Sequence, residues 1–210
     1  MQSEIEIINL ALSCISDGNF VQSLDEDSPE AVQAKMHYDP TLQAVLSDHA
    51  WDFARRIQRL ALMAHDQGLS AWAFHYGYPV DAVQIRRVFS VGNANKSVPF
   101  ATGRSEDGVQ RIIMTNHQTA AAEYTLAKVA PGTMPPLFVK AFSWRLAAEI
   151  ALSRAQREQA NYAMQVYQAQ LEEAKLRDAR ESGPLSRTDG NWMKSRYPVP
   201  AAYQQPAGGE

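Results

Sequence analysis

The chain has 210 residues, 45% of them hydrophobic and 20% charged, with a formal net charge of -3 and a single cysteine, Cys14. That length holds one domain, or one domain with an excursion, and can bury a substantial core, so a large multi-domain machine and wholesale disorder are excluded. The small negative charge gives no broad attraction to nucleic acid or an anionic membrane, and one cysteine rules out a disulfide framework or a cysteine-histidine zinc site.

Cys14 reads as a small buried hydrophobe in a reducing compartment. The opening MQSEIEIINL lacks the basic flank and apolar stretch of a signal peptide. No apolar run approaches the roughly 20 residues of a membrane span, so the expectation is a soluble protein made in the cytoplasm.

Ser3 and Glu6 have capping-box spacing, and Ile5, Ile8, Leu12 and Ile15 follow at helical intervals, predicting a first helix over 3–15 that Gly18 ends. After the acidic Asp25-Glu26-Asp27, Ser28 can cap a second helix whose first residue is Pro29. Asp39-Pro40 repeats the signal, predicting a kink or a restart there. A further helical run then carries Leu42, Val45, Leu46, Trp51, Phe53, Ile57 and Leu60.

Gly68 and the segment Trp72-Ala73-Phe74-His75-Tyr76-Gly77-Tyr78-Pro79 break that pattern. Alternation around Val83, Ile85 and Arg87, and the runs Ile112 to Thr115 and Ala122 to Leu126, predict short strands. The Gly-, Asn- and Ser-rich stretch from Gly92 to Gly108 reads as an exposed β-connection. Thr133 to Pro136 starts a long helix through Phe138, Ala141, Phe142, Leu146 and Ile150, because proline is tolerated in a helix's first turn. Another runs from about Glu158 to Arg180, either continuous with it or separate.

From Glu181 onward Gly183-Pro184, Gly190, Pro198, Pro200, Pro206 and Gly208-Gly209 forbid a helix or a central strand. Trp192, Tyr197 and Tyr203 leave two readings, a solvated tail or a docking peptide that orders on a partner. The fold class expected from these elements is α+β, predominantly α: a helical bundle with a small β-rich insertion and an extended C-terminal tail. Its parts are residues 1–80 and 133–182 for the bundle, 81–132 for the insertion and 183–210 for the tail.

No phosphate loop, dinucleotide fingerprint, zincin or esterase elbow occurs in the sequence. His37, His49, His65, His75 and His117 are scattered without ligand spacing. Asp25, Glu26 and Asp27 lack a calcium loop's spacing and suit a helix start. Arg55-Arg56-Ile57-Gln58-Arg59 reads as the solvated face of a helix that buries Phe53, Ile57 and Leu60. Asp81 before Arg86 and Arg87 predicts a structural aspartate-arginine pair at a strand's entry. The aromatics Trp51, Trp72, Phe74, Tyr76, Tyr78 and Trp144 read as core or as subunit contacts.

Three blocks carry a resemblance. Trp51-Asp52-Phe53-Ala54-Arg55-Arg56, then Trp72 to Asp81 running into Ile85-Arg86-Arg87-Val88, then Ala122-Glu123-Tyr124-Thr125 with Pro135-Pro136-Leu137-Phe138 through Ala151, resemble the head-to-tail adaptors of short-tailed bacteriophages, the tail tubular protein A type. The opening, with Asn9, Ala11, Leu12 and Ile15 before Ser23 to Ser28, is also similar, so the likeness covers roughly residues 5 to 180. The resemblance implies a non-enzymatic structural virion protein that needs no cofactor and no metal.

In that family about twelve copies form a homo-oligomeric ring, a closed cyclic assembly, between the portal protein and the tail nozzle protein. DNA passes through the channel without specific binding, and no membrane is involved. The implied portal-docking tail would use Trp192, Tyr197 and Tyr203 as anchors, with Arg187, Lys194 and Arg196 as polar contacts. The alternative is a virion-associated peptidoglycan hydrolase acting during entry. It would need a raised-pKa carboxylic acid and a second carboxylate about 5 to 9 Å away, a pair that nothing in the sequence nominates. DNA binding is opposed by the net charge and by the lack of a basic stripe.

Overall fold

The computed structural model describes residues 3–15, 18–64 and 70–181. Among them are four helices: α1 (Glu4–Cys14), α2 (Pro29–Ser47), α3 (Pro136–Ser153) and α4 (Arg157–Glu181). The strands are β1 (Arg55–Arg59), β2 (Leu62–Met63), β3 (Phe74–Gly77), β4 (Ala82–Ser90), β5 (Ser97–Val98), β6 (Phe100–Arg104), β7 (Arg111–Thr115) and β8 (Ala120–Leu126). They form two four-stranded antiparallel sheets, ordered β1-β8-β4-β5 and β2-β3-β7-β6.

The expected helical bundle with a small β-rich insertion is therefore corrected: this is a mixed fold in which two complete sheets, spanning Arg55 to Leu126, stand beside the helices. Two local errors led to the smaller estimate. Arg55–Arg59 is the edge strand β1, all five residues exposed, and not a helical face; Ile57 is 54% exposed. The stretch from Gly92 to Gly108 holds β5 and β6, separated by Pro99, which cannot donate to a ladder and marks the step from one sheet to the other.

The helices start where side chains satisfy their free amides. The Ser3 hydroxyl and Glu6 carboxylate make a reciprocal capping box at α1. Ser28 accepts from the Ala31 amide at α2 and donates to Glu26 at 2.6 Å, and that bond holds the Glu26 carboxylate below its ordinary value. Pro40 lies inside α2, which runs through it to Ser47 without the expected restart. The break between α3 and α4 carries no glycine or proline; Ala155 makes it, in the left-handed region at φ 60°.

α3 is the centre of the helical layer and packs against α1, α2 and α4. Phe138, Phe142, Leu146 and Ile150 are buried on it, and Ala141, Ala147 and Ala151 let its neighbours approach. Each large apolar side chain buried this way contributes about 1.5–3 kcal/mol. A second core lies between the sheets, with Tyr76 and Ile113 from one meeting Ile85, Val88 and Tyr124 from the other. Half-buried Leu126 touches both cores. Among the described residues no helix is long and apolar enough to cross a membrane.

Candidate functional site

Helices and sheets are joined where α2 ends and the chain turns through Trp51 into β1. Trp51 is 2% exposed; its indole N–H donates to the Val45 carbonyl at 3.0 Å, and its ring meets His49 and Phe138 edge-on at 4.8 and 5.0 Å. Phe53 closes the cluster against Phe138 at 4.7 Å. Edge-to-face contacts of this kind fix ring orientation as well as burying area.

A polar seam runs along the aromatics. Asp178 of α4, 9% exposed, lies 3.0 Å from His49 Nε2 and accepts from the Asp52 amide at 3.2 Å. The Tyr167 hydroxyl donates to Asp48 at 2.6 Å, and burial, aided by that carboxylate, pushes the phenol upward. α4 therefore holds the end of α2 at two points about three turns apart.

Arg86 grips the same helix end from the sheet. Ile85 faces Tyr124 and Arg87 faces Glu123, so Arg86 is the extra residue of a bulge in β4, and bulges re-aim side chains. Its guanidinium donates to Thr125 Oγ1 at 2.8 Å, to the Leu46 carbonyl at 3.2 Å and to the His49 carbonyl. A cation on the last carbonyls of a helix satisfies orphan acceptors and opposes the dipole's negative end. Burial pulls this guanidinium downward from its ordinary value.

The predicted pairing of Asp81 with Arg86 or Arg87 is corrected. Asp81 meets Arg56 of β1 at 2.6 Å, and the Tyr124 hydroxyl lies 2.9 Å from both Asp81 and the Gln58 side chain. Arg87 instead pairs with Glu123 at 2.8 Å. Burial first, and then Asp81, push the Tyr124 phenol up to about 12. Cys14 is half-buried against the helical core, and burial raises its thiol to about 11, partly opposed by Lys140.

Beside this joint is a cavity of about 250 Å³. Trp51, Pro136, Phe138 and Ala174 form its apolar walls, and Asp178 lines it beside the Arg177–Glu181 ion pair, 2.8 Å apart. The expected tail residues Arg187, Trp192, Lys194, Arg196, Tyr197 and Tyr203 lie outside the described residues. So does His65. Sequence reasoning did not single out Asp178, although a signal exists: Ala160, Ala163, Tyr167, Leu171 and Ala174 mark the buried stripe of α4, and Asp178 is the next position on it. A carboxylate on an apolar stripe needs a partner.

No family model matches the chain, and no curated protein matches it.

Proposed function

We propose that the protein is a structural head-to-tail connector of a short-tailed bacteriophage virion, acting through contacts and not through catalysis. Copies would close into a ring of twelve that joins the portal to the tail nozzle and lines the channel used in DNA ejection. The observation that carries the reading is spatial. Segments 51–56, 72–81, 85–88, 122–125 and 135–151, which resemble the adaptors, converge on the joint: Trp51 on Phe138, Arg56 and Tyr124 on Asp81, and Arg86 on Thr125 and the end of α2. A likeness confined to scattered surface positions would carry less weight than one in residues that together set the angle between two layers.

In this reading residues 183–210 dock on the portal through Trp192, Tyr197 and Tyr203, with Arg187, Lys194 and Arg196 alongside. The two sheets face the next component of the tail. Repeating one weak contact around a ring multiplies it into a firm attachment.

The test is negative-stain electron microscopy of the protein mixed with portal rings from the same virus, with each component alone as control. An added symmetric layer on the tail-side face of the portal is expected, and it should vanish when residues 184–210 are deleted. Folded protein that adds no layer would overturn the connector reading; a layer that survives the deletion would overturn the docking role of the tail.

A further inference from the structure

In the turn between α3 and α4 the residues oppose the geometry they adopt. The Gln156 amide donates to the Ala151 carbonyl at 2.9 Å and the Ala155 amide to the Leu152 carbonyl at 3.1 Å, the two bonds of a Schellman cap. That cap needs a left-handed residue, a place normally taken by glycine, and here it is Ala155 at φ 60°. Gln156 Oε1 is buried in the same turn with no hydrogen-bond partner among the described residues. The connecting residues Arg154-Ala155-Gln156 are all strong helix formers, so the local preference is for one helix running from α3 into α4.

Packing enforces the turn. α4 lies chiefly on α3, with Ala160, Ala163, Tyr167, Leu171 and Ala174 buried. Arg145 of α3 lies 5.6 Å from the Tyr167 ring and reaches Met164 Sδ at 3.0 Å, and Trp144 meets Tyr162 edge-on at 5.8 Å. These pairs sit at about equal distances along the chain on either side of Ala155, so the two helices run antiparallel about the turn. An antiparallel face of that kind accepts α4 from its own chain or α4 from a second copy whose turn has straightened. α4 is the last described element, so its exchange drags no other described element along.

We propose that the face of α3 that carries α4 is also a docking surface for α4 of a second copy: the chain straightens at Ala155 into one helix from Pro136 to Glu181, and two copies exchange α4 reciprocally. The contacts of α3 with α4 are then made between copies in place of within one, and neither alanine stays left-handed. A short hinge under strain favours this exchange, and mass action makes it grow with concentration. The exchange rests on the turn alone and belongs to the free chain, so it stands or falls separately from the connector reading.

The test is refolding of the full chain from urea at high dilution and at high protein concentration, followed by mass determination from light scattering. Monomer is expected from the dilute sample and dimer from the concentrated one. Lys140→Cys and Glu173→Cys, both at exposed positions, carry spin labels in a Cys14→Ala background. Refolding with an excess of unlabelled chain makes every measured distance one within a single chain. Two packed antiparallel helices hold these labels within roughly 20 Å of each other. One straight helix separates them by about 50 Å, the distance expected in the dimer. Ala155→Gly, which suits the closed turn and disfavours the straight helix, should raise the dimer dissociation constant roughly a hundredfold, about tenfold for each hinge. That comparison needs no label and reads the same hinge should the labelled chain fail to fold. A chain that stays monomeric at high concentration would overturn the proposal, as would an oligomer that keeps the short distance. A dissociation constant unmoved by Ala155→Gly would overturn the part given to the turn.

Discussion

Replacing Asp178 by alanine removes two of the carboxylate's contacts at the joint, the one to His49 at 3.0 Å and the one from the Asp52 amide at 3.2 Å. A buried hydrogen bond to a charged group contributes about 1.5–3 kcal/mol, and a buried donor left without an acceptor adds about 1–3 kcal/mol. The His49 side chain is 28% exposed, so its share belongs at the low end of that range. The expected loss is about 2–4 kcal/mol for Asp178→Ala. Asp178→Asn keeps an acceptor for the Asp52 amide and nearly the same volume, and should lose only about 1 kcal/mol. Urea unfolding followed by far-ultraviolet circular dichroism reads both, with a slope of about 1–3 kcal/mol per molar urea converting midpoint to energy. If Asp178→Ala unfolds within about 0.3 M of the unmodified protein, or the asparagine variant falls as far as the alanine one, Asp178 does not hold α4 to the joint.

Ala155 occupies the left-handed region at φ 60° and is exposed, so Ala155→Gly sacrifices no packing. Relief of the Cβ clash outweighs the added freedom of the unfolded chain, and stability should rise by about 0.5–1 kcal/mol in the same urea assay; a fall would refute the strain. Tyr124 is held above its ordinary value near 10, at about 12, so its stabilising share is complete below pH 10 and is lost as pH climbs to about 12. Tyr38, Tyr76 and Tyr167 shift in the same direction, so Tyr124→Phe should reduce the alkaline decline in thermal midpoint without abolishing it. Cys14, raised to about 11, should resist iodoacetamide at pH 8 in the folded protein and react once urea unfolds it; equal rates in both states would contradict its burial.

The helices were legible because their ends carry local chemistry. Ser3 with Glu6, Ser28 before Pro29, and the proline pair before Leu137 act within one turn of chain, and no distant contact can undo them. The sheets were legible only in part. Arg55–Arg59 has the composition of a solvated helix face and becomes a strand because β8 offers it a free edge some 70 residues away. β5 and β6 are short and lie among glycines and asparagines, so pairing with β4 and β7 decides them.

At the joint, Asp81 showed that it needed a cation, but the choice of Arg56 over Arg86 depended on the bulge that turns Arg86 toward α2. The α3–α4 break is not legible in the sequence, because alanine gives no warning of a left-handed turn.

The order of the elements along the chain has a consequence for synthesis. α1 and α2 bury their apolar faces on α3, yet α3 begins at Pro136, some 89 residues after α2 ends at Ser47. At about 5–20 residues per second, a ribosome leaves those two helices without their partner for roughly 4–18 s. During that interval Ile8, Leu12, Leu42 and Leu46, all buried in the finished protein, face water. Both sheets emerge in the gap and can pair first, so they become the template on which α3 later captures the N-terminal helices. A chain halted before residue 136 should therefore be a client for chaperones and proteases, and slow or cold expression should favour the full-length protein over aggregates.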